Sequence, residues 1–294
     1  MSTAQAEGAR RAPLGWVARR RGAAARKVAV FILVLGALWG LWELARALGE
    51  ASGLRLGAFE VNDRTMPHVH DMLRQFVQPS RRNGPLLIAV LLQAAAFTAK
   101  EAVVGFLIGA TVGFVIGVLL SNFRLLERGL LPYIVASQTV PILAIAPMVV
   151  VWMGAGLFSV AVIAAYLTFF PVAINTLRGL RSADPRAHEL MASYAADRWR
   201  VLWKLEIPAS LPYLFTALRI AAPASVVGAI IGELPSSIQG GLAGAILNFN
   251  QYYVSNPPAL WATNIVAALL GMAFFGAVVL LERLVVHRAP EHVA

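Results

Sequence analysis

Val103–Leu120 reads V-V-G-F-L-I-G-A-T-V-G-F-V-I-G-V-L-L, an apolar run without a charged side chain. A helix rises about 1.5 Å per residue and the hydrocarbon core of a bilayer is about 30 Å thick, so a run of this length is a membrane span. Comparable runs lie at Val28–Leu48, Leu131–Trp152, Phe158–Leu177, Leu214–Leu234 and Trp261–Leu281. Apolar residues make up 59% of the chain, above the roughly 45–50% of soluble domains. The expected fold class is all-α, a polytopic membrane protein with about six transmembrane helices. Leu86–Phe97 either extends the second span or forms a short interfacial helix before it, because Lys100 and Glu101 interrupt the run.

The formal net charge is +10, and its distribution points to a membrane surface rather than nucleic acid. Arg10, Arg11, Arg19, Arg20, Arg21, Arg26 and Lys27 precede the first span. Such an excess marks the cytoplasmic side, so the N-terminus is expected inside. Six spans then place Ser121–Arg128, Arg178–Lys204 and the C-terminal tail inside as well, and these segments carry Arg124, Arg128, Arg178, Arg181, Arg198, Arg200 and Arg283. The external loop Glu50–Pro85 departs from the rule with five arginines, partly offset by Glu50, Glu60, Asp63 and Asp71. The triple arginine at 19–21 reads as an anchor in an anionic leaflet rather than an export signal, since the run after it ends in W-E-L-A-R without a small-residue cleavage site. The expected organisation is a basic cytoplasmic tail over 1–27, disordered; a first helix over 28–48; an external loop over 49–85; a core over 86–285 containing a polar insert at 182–212; and a tail over 286–294. The absence of cysteine excludes disulfides and thiolate chemistry.

The insert, S-A-D-P-R-A-H-E-L-M-A-S-Y-A-A-D-R-W-R-V-L-W-K-L-E-I-P-A-S-L-P over Ser182–Pro212, separates two apolar runs. Asp184 followed by Pro185 is a helix start, the acid capping free amides and proline fitting the first turn. Leu190, Met191, Tyr194, Trp199, Leu202 and Trp203 then recur at roughly helical spacing among Arg186, Asp197, Arg198, Arg200 and Lys204. Two readings fit: a docking surface for a soluble partner, or an amphipathic helix lying on the inner leaflet.

Here the chain resembles the permease subunits of bacterial ABC importers, whose cytoplasmic motif is E-A-A-x-x-x-G, nine residues, then I-x-L-P. Glu189 stands at the E, Ala195 at the G, Leu205 at the I, Ile207 at the L and Pro208 at the P. Leu190 and Met191 replace the two alanines, and Ala195 replaces the glycine that turns the chain between two short helices. An alanine there is either held left-handed at a cost of roughly 1 kcal/mol, or the turn avoids positive φ. P-I-L-A-I-A-P at Pro141–Pro147, W-M-G-A-G at Trp152–Gly156, F-F-P at Phe169–Pro171 and N-T-L-R-G-L at Asn175–Leu180 are similar to the branch serving nitrate, taurine, alkanesulfonates and thiamin-pyrimidine precursors.

The resemblance implies a multi-pass protein of the bacterial inner membrane whose insert carries coupling helices. It implies two permease copies, identical or related, around a central path. A cytosolic ABC ATPase dimer would dock on the inserts, and an external substrate-binding protein would deliver the ligand. Glu189, Tyr194, Ala195, Asp197, Arg198 and Pro208 are the implied ATPase-coupling residues. The chain holds no G-x-x-x-x-G-K-[ST] phosphate loop, so ATP-Mg would belong to the partner; no catalysis and no cofactor are expected of this chain.

Gln138, Pro141, Pro147, Glu233, Asn248 and Asn250 are the candidate path or gate residues. Each proline removes a backbone bond inside a predicted span and tends to kink it; the competing reading is a permanently bent packing helix. An acid in a membrane costs about 2.5–3.5 kcal/mol on insertion scales, so Glu233 is expected to face a cavity, a helix end or a gate, or to reach water near the interface. The following G-G-L-A-G-A-I-L-N-F-N-Q-Y-Y would dip partly into the membrane, with Asn248 and Asn250 offering neutral hydrogen-bonding groups and the tyrosines an interfacial belt. H-V-H-D at 68–71 reads as a solvated loop, and no metal site is expected. The alternative function is an ion-gradient-driven secondary transporter, which calls for buried ionisable residues within spans and internal repeats. The neutral segment and Glu233 tilt the substrate toward a small heterocycle over a bare sulfonate or nitrate.

Overall fold

The computed structural model describes residues 14–53, 55–56, 59–81 and 83–286; the first half of the expected N-terminal tail and nearly all of the C-terminal tail lie outside the described residues. By contacts the chain divides into two units, Met1–Met72 and Leu73–Ala294.

In the first unit α1 spans Leu14–Ala51, starting well before the apolar run at Val28. Only 6% of its most apolar window is buried, which suits a helix facing lipid. Arg46 is 4% exposed because Glu50, at 2.8 Å, and Asp63, at 2.5 Å, neutralise it. A two-residue hairpin, β1 (Arg55–Leu56) against β2 (Phe59–Glu60), is a small departure from all-α architecture. The short α2 (Val69–Gln75) closes the segment expected as an external loop.

The second unit is built on three long helices. α3 runs unbroken over Leu87–Asn122, so Leu86–Phe97 is an extension of the second span and not a separate element. α6 covers Leu157–Leu180, and α9 covers Ile207–Glu233. α3 packs on α6 along Gly105, Gly109, Gly113 and Gly117, one glycine per turn on one face. A Cβ added at Gly109 would lie 2.5 Å from the Ala165 carbonyl oxygen, and one at Gly113 would lie 2.5 Å from that of Phe169. In lipid, where apolar burial drives no association, backbone approach of this closeness is what holds helices together. Gly228 of α9 repeats the device, with its missing Cβ 2.7 Å from the Ala164 Cα.

The third expected span is not one helix. α4 (Arg124–Ser137) and α5 (Ile142–Met153) meet at a 99° bend. Pro141 stands in extended backbone at the start of α5, so it breaks the span outright, while Pro147 sits inside α5. Five described helices, or six counting the bent pair, are long and apolar enough to cross a membrane.

The polar insert forms α7 (Pro185–Ser193) and α8 (Arg198–Val201), followed by a π-turn at Leu202–Glu206 that runs into α9. That widened turn has a local cause. Pro208 has no N–H and its ring crowds the carbonyl four residues back, and passing the Ile207 N–H to Leu202 O opens the turn. α10 (Leu242–Gln251) and α11 (Pro257–Val286) complete the unit. Leu87, Leu91, Leu242, Phe249, Ala259 and Ala262 form a core joining α3, α10 and α11 at the end away from the insert.

Candidate functional site

At the insert end, the backbone shows why Asp184 and Asp197 stand where they do. The Asp184 carboxylate accepts from Arg186 N at 2.8 Å and caps α7; the Asp197 carboxylate accepts from Arg200 N at 2.9 Å and caps α8. Between the two helices Ala195 has φ of +53°. Ala196 N donates to Met191 O at 3.0 Å and Ala195 N donates to Ala192 O at 2.9 Å. These are the paired bonds of a Schellman helix ending, with Ala195 in the position that glycine ordinarily fills. Of the two possibilities for this turn, the strained one is realised. Ala195→Gly is therefore expected to stabilise the insert by about 1 kcal/mol, read as a rise in thermal midpoint of the purified chain.

Glu189 is exposed on α7, and elsewhere along the insert Leu190, Tyr194, Trp199 and Trp203 are 56%, 74%, 69% and 65% exposed. These large apolar side chains are left uncovered by the described residues. Pro208 is exposed in the first turn of α9. Arg198 points back into the protein: its Nε donates to Asn122 Oδ1 at 3.1 Å, its Nη2 donates to Asn122 O, and its guanidinium lies 5.4 Å from the centre of the Phe123 ring. The insert is thereby tied to the junction of α3 and α4. Arg181, at the end of α6, holds Glu127 of α4 with two parallel bonds of 2.6 and 2.7 Å. Together these contacts join the insert end of α6 and the start of α8 to the α3–α4 junction.

At the α4–α5 bend, Ser137, Gln138, Thr139, Val140 and Pro141 face Tyr166, Phe169 and Phe170 across a cavity of about 350 Å³. The Tyr166 hydroxyl donates to Ser137 O and pins α6 to the bend. Gln138 and Pro141 line this cavity; Pro147 does not, and lies exposed on α5. α4 has no buried residue at all, and Leu125 and Tyr133 are 84% and 75% exposed.

At the far end, Glu233 is 1% exposed. It does not reach water there. Thr98 Oγ1 donates to its Oε1 at 2.5 Å and Ala243 N donates to its Oε2 at 2.8 Å, while Leu242 N donates to Thr98 Oγ1 at 2.8 Å. The carboxylate thus caps the N-terminus of α10, where free amides and the helix dipole favour negative charge. Gly241 is required for this approach, since a Cβ there would lie 2.2 Å from Glu233 Oε2. Asn248 lines a cavity of about 980 Å³ with Gln93, Gln239, Asn256, Ser255 and Arg81; Asn250 is exposed and turned away from it. An amide-rich wall with one guanidinium fits a small solute that both donates and accepts hydrogen bonds.

The local pattern concealed two features. Glu101, seen only as an interruption of an apolar run, is 1% exposed and lies against Glu233. Its one sequence signal was an acid inside a span long enough to cross the bilayer. Glu43, His68 and His70 bring ligand-capable atoms within 4.8 Å of one another. Glu43 is already committed, accepting from Val69 N at 3.2 Å and pairing with His68 Nδ1 at 2.7 Å. The group works as a tie between α1 and α2, joined across 25 residues that no local motif would link.

Residues 105–287 match the family described as binding-protein-dependent transport system inner membrane component. The formylaminopyrimidine transport permease protein ThiX of Halalkalibacterium halodurans is 33% identical over 221 residues, covering 72% of this chain and 87% of that protein. The putative aliphatic sulfonates transport permease protein SsuC of Bacillus subtilis is 32% identical over 184 residues, covering 62% of this chain and 65% of that one. A crystal structure of an amino acid ABC transporter with histidines superposes with a TM-score of 0.55 at 15% identity, covering 67% of this chain and 94% of that one, and shares its fold.

Proposed function

We propose a partner surface, an orientation and a substrate class for this chain, which belongs to the family of binding-protein-dependent transport system inner membrane components and is a transmembrane permease subunit of an ABC importer. A pair of cytosolic ATPase subunits docks on the α7–α8 insert. The observation that carries this is the exposure of Leu190, Tyr194, Trp199 and Trp203 along one short insert that also exposes Glu189. Large aromatic side chains are enriched at interface centres, with charged groups such as Glu189 at the polar rim. Ala195, Asp197 and Pro208 fix the shape of that insert, and Arg198 carries its movement to Asn122. ATP and Mg bind in the partner.

The N-terminus lies in the cytoplasm with the insert, and the α10 end faces outward, where an external substrate-binding protein delivers its ligand. A second permease copy, identical or related, covers the bare sides of α4 and α5. The path between copies runs past the amide-lined cavity with Asn248 and the bend at Gln138 and Pro141, with Pro147 and Asn250 flanking it, and Glu233 sets the gate from behind that cavity by holding the start of α10. The substrate is a small organic solute, and the amide-rich wall favours a heterocycle with hydrogen-bonding edges, as the name of ThiX suggests for that protein.

The test is purification of the tagged chain from its host membrane in mild detergent. An ATPase subunit retained in near-equal amount is the expected result. An intact, folded chain that carries none after chemical crosslinking in the membrane would remove the docking assignment and reduce the insert to a membrane-surface helix.

A further inference from the structure

Two acids share one buried pocket inside the helical bundle. Glu101 and Glu233 are each 1% exposed, the first on α3 and the second at the end of α9. Thr98 stands one turn before Glu101 on α3 and donates to Glu233 at 2.5 Å, which sets the two carboxyl groups on the same side of the α3–α9 contact. Their surroundings are unequal. Glu233 receives the Thr98 hydroxyl and the Ala243 amide at the N-terminus of α10. Neither oxygen of Glu101 has a hydrogen-bond partner.

The other charges that bear on the pair are few. Lys100, adjacent on α3, is exposed and makes no described ion pair with Glu101, although its charge attracts that carboxylate. α10 carries no charged side chain, α6 only Arg178, and α11 only Glu282 and Arg283, all at the insert end. α9 brings Arg219, which is bound to Glu282. Among the described residues no cation pairs with either carboxyl: Lys100 is exposed, and Arg81 lies on the wall of the neighbouring amide-lined cavity. The N-terminus of α10 favours one negative charge at Glu233 and disfavours a metal cation beside it. An ionised carboxylate only accepts hydrogen bonds, so two such groups in contact, away from water and one of them without a donor, lack a hydrogen.

We propose that Glu101 and Glu233 form a proton-binding site that holds one proton, carried on Glu101 and donated to the ionised Glu233. The site carries a net charge of −1 spread against the α10 amides. Its proton links α3 to the corner where α9 turns into α10, one wall of which is the amide-lined cavity. Loss of that proton leaves two anions in contact and pushes α10 off α3, so the site is a latch sensitive to alkaline pH on the far side of the bundle from the insert. The inference rests on the packing of this chain alone and is independent of the ligand or the ATPase.

Infrared spectroscopy of the full chain in lipid nanodiscs, in light and heavy water, reads the proton directly. The wild-type chain at neutral pH is expected to show the carbonyl band of a protonated carboxylic acid that shifts on deuteration, and Glu101→Gln is expected to abolish it. Gln mimics the protonated acid and supplies its own donor, so the variant is expected to keep the wild-type thermal midpoint at neutral pH. On raising the pH to alkaline values the wild-type midpoint falls and that of Glu101→Gln does not. A neutral-pH spectrum without the band, or a band unchanged in Glu101→Gln, overturns the proposal. So does a Glu101→Gln midpoint that falls with pH in parallel with the wild type.

Discussion

Gly109→Leu is expected to abolish the folded protein. A Cβ at this position would stand 2.5 Å from Ala165 O, 2.7 Å from Thr168 Cβ and 2.9 Å from Ala165 Cα, so the first obstacle is backbone, which cannot rotate aside. α3 and α6 would have to separate, and with them the aligned contacts at Gly105, Gly113 and Gly117. Overpacking a core costs about 1–3 kcal/mol where side chains can adjust, and more where they cannot. A loss of about 3 kcal/mol changes the folded-to-unfolded ratio by more than about a hundredfold. The readout is the yield of monodisperse protein by fluorescence-detected size exclusion. Gly276→Leu is the control: nothing lies within 4 Å of a Cβ there, and yield is expected to match wild type. Equal yields from both variants would show that the α3–α6 seam does not hold the bundle together.

That seam marks the boundary of what the sequence discloses. Membrane spans are legible because hydropathy over about 20 residues is a local property, and α6, α9 and α11 fall where the apolar runs place them. The helices of the insert are equally legible, because Asp184 and Asp197 act on amides two or three residues away. Discrepancies arise where a distant residue decides the local structure. Lys100 and Glu101 interrupt the apolar run within α3, yet the helix continues, and Glu101 is buried against Glu233, 132 positions on and brought there by folding. The same holds for Glu43, whose partners follow by 25 and 26 positions. Pro141 tells that the third span is perturbed, but whether a proline bends or breaks a helix depends on what meets the freed carbonyls. Here the Ser137 carbonyl is taken by Tyr166 from α6, and the bend reaches 99°. At Ala195 both backbone solutions were open from sequence, and the pair of bonds closing onto Met191 and Ala192 selects the left-handed one.

Glu189→Lys is expected to uncouple the permease from its ATPase while leaving the permease intact. Glu189 is exposed on α7 and makes no described hydrogen bond or ion pair, so its replacement carries a stability change within about 0.5 kcal/mol. Size-exclusion profile and thermal midpoint should therefore stay at wild-type values. The caps at Asp184 and Asp197 and the tie from Arg198 to Asn122 are untouched, so the insert keeps its shape. What changes is the sign of an exposed charge on α7, next in sequence to Leu190. Reversing a charge that faces a partner replaces an attraction by a repulsion of several kcal/mol, and each 1.4 kcal/mol is a factor of ten in affinity. ATPase retained on the purified permease should fall at least about tenfold, and uptake by the host strain should be lost with it. Tyr194→Ala, which trims the same insert without reversing a charge, is expected to produce a smaller fall in retention. The two variants together separate a docking face from a surface helix resting on lipid: an added lysine strengthens attachment to an anionic leaflet and would leave both retention and uptake unaltered. That outcome would remove Glu189 from the coupling surface.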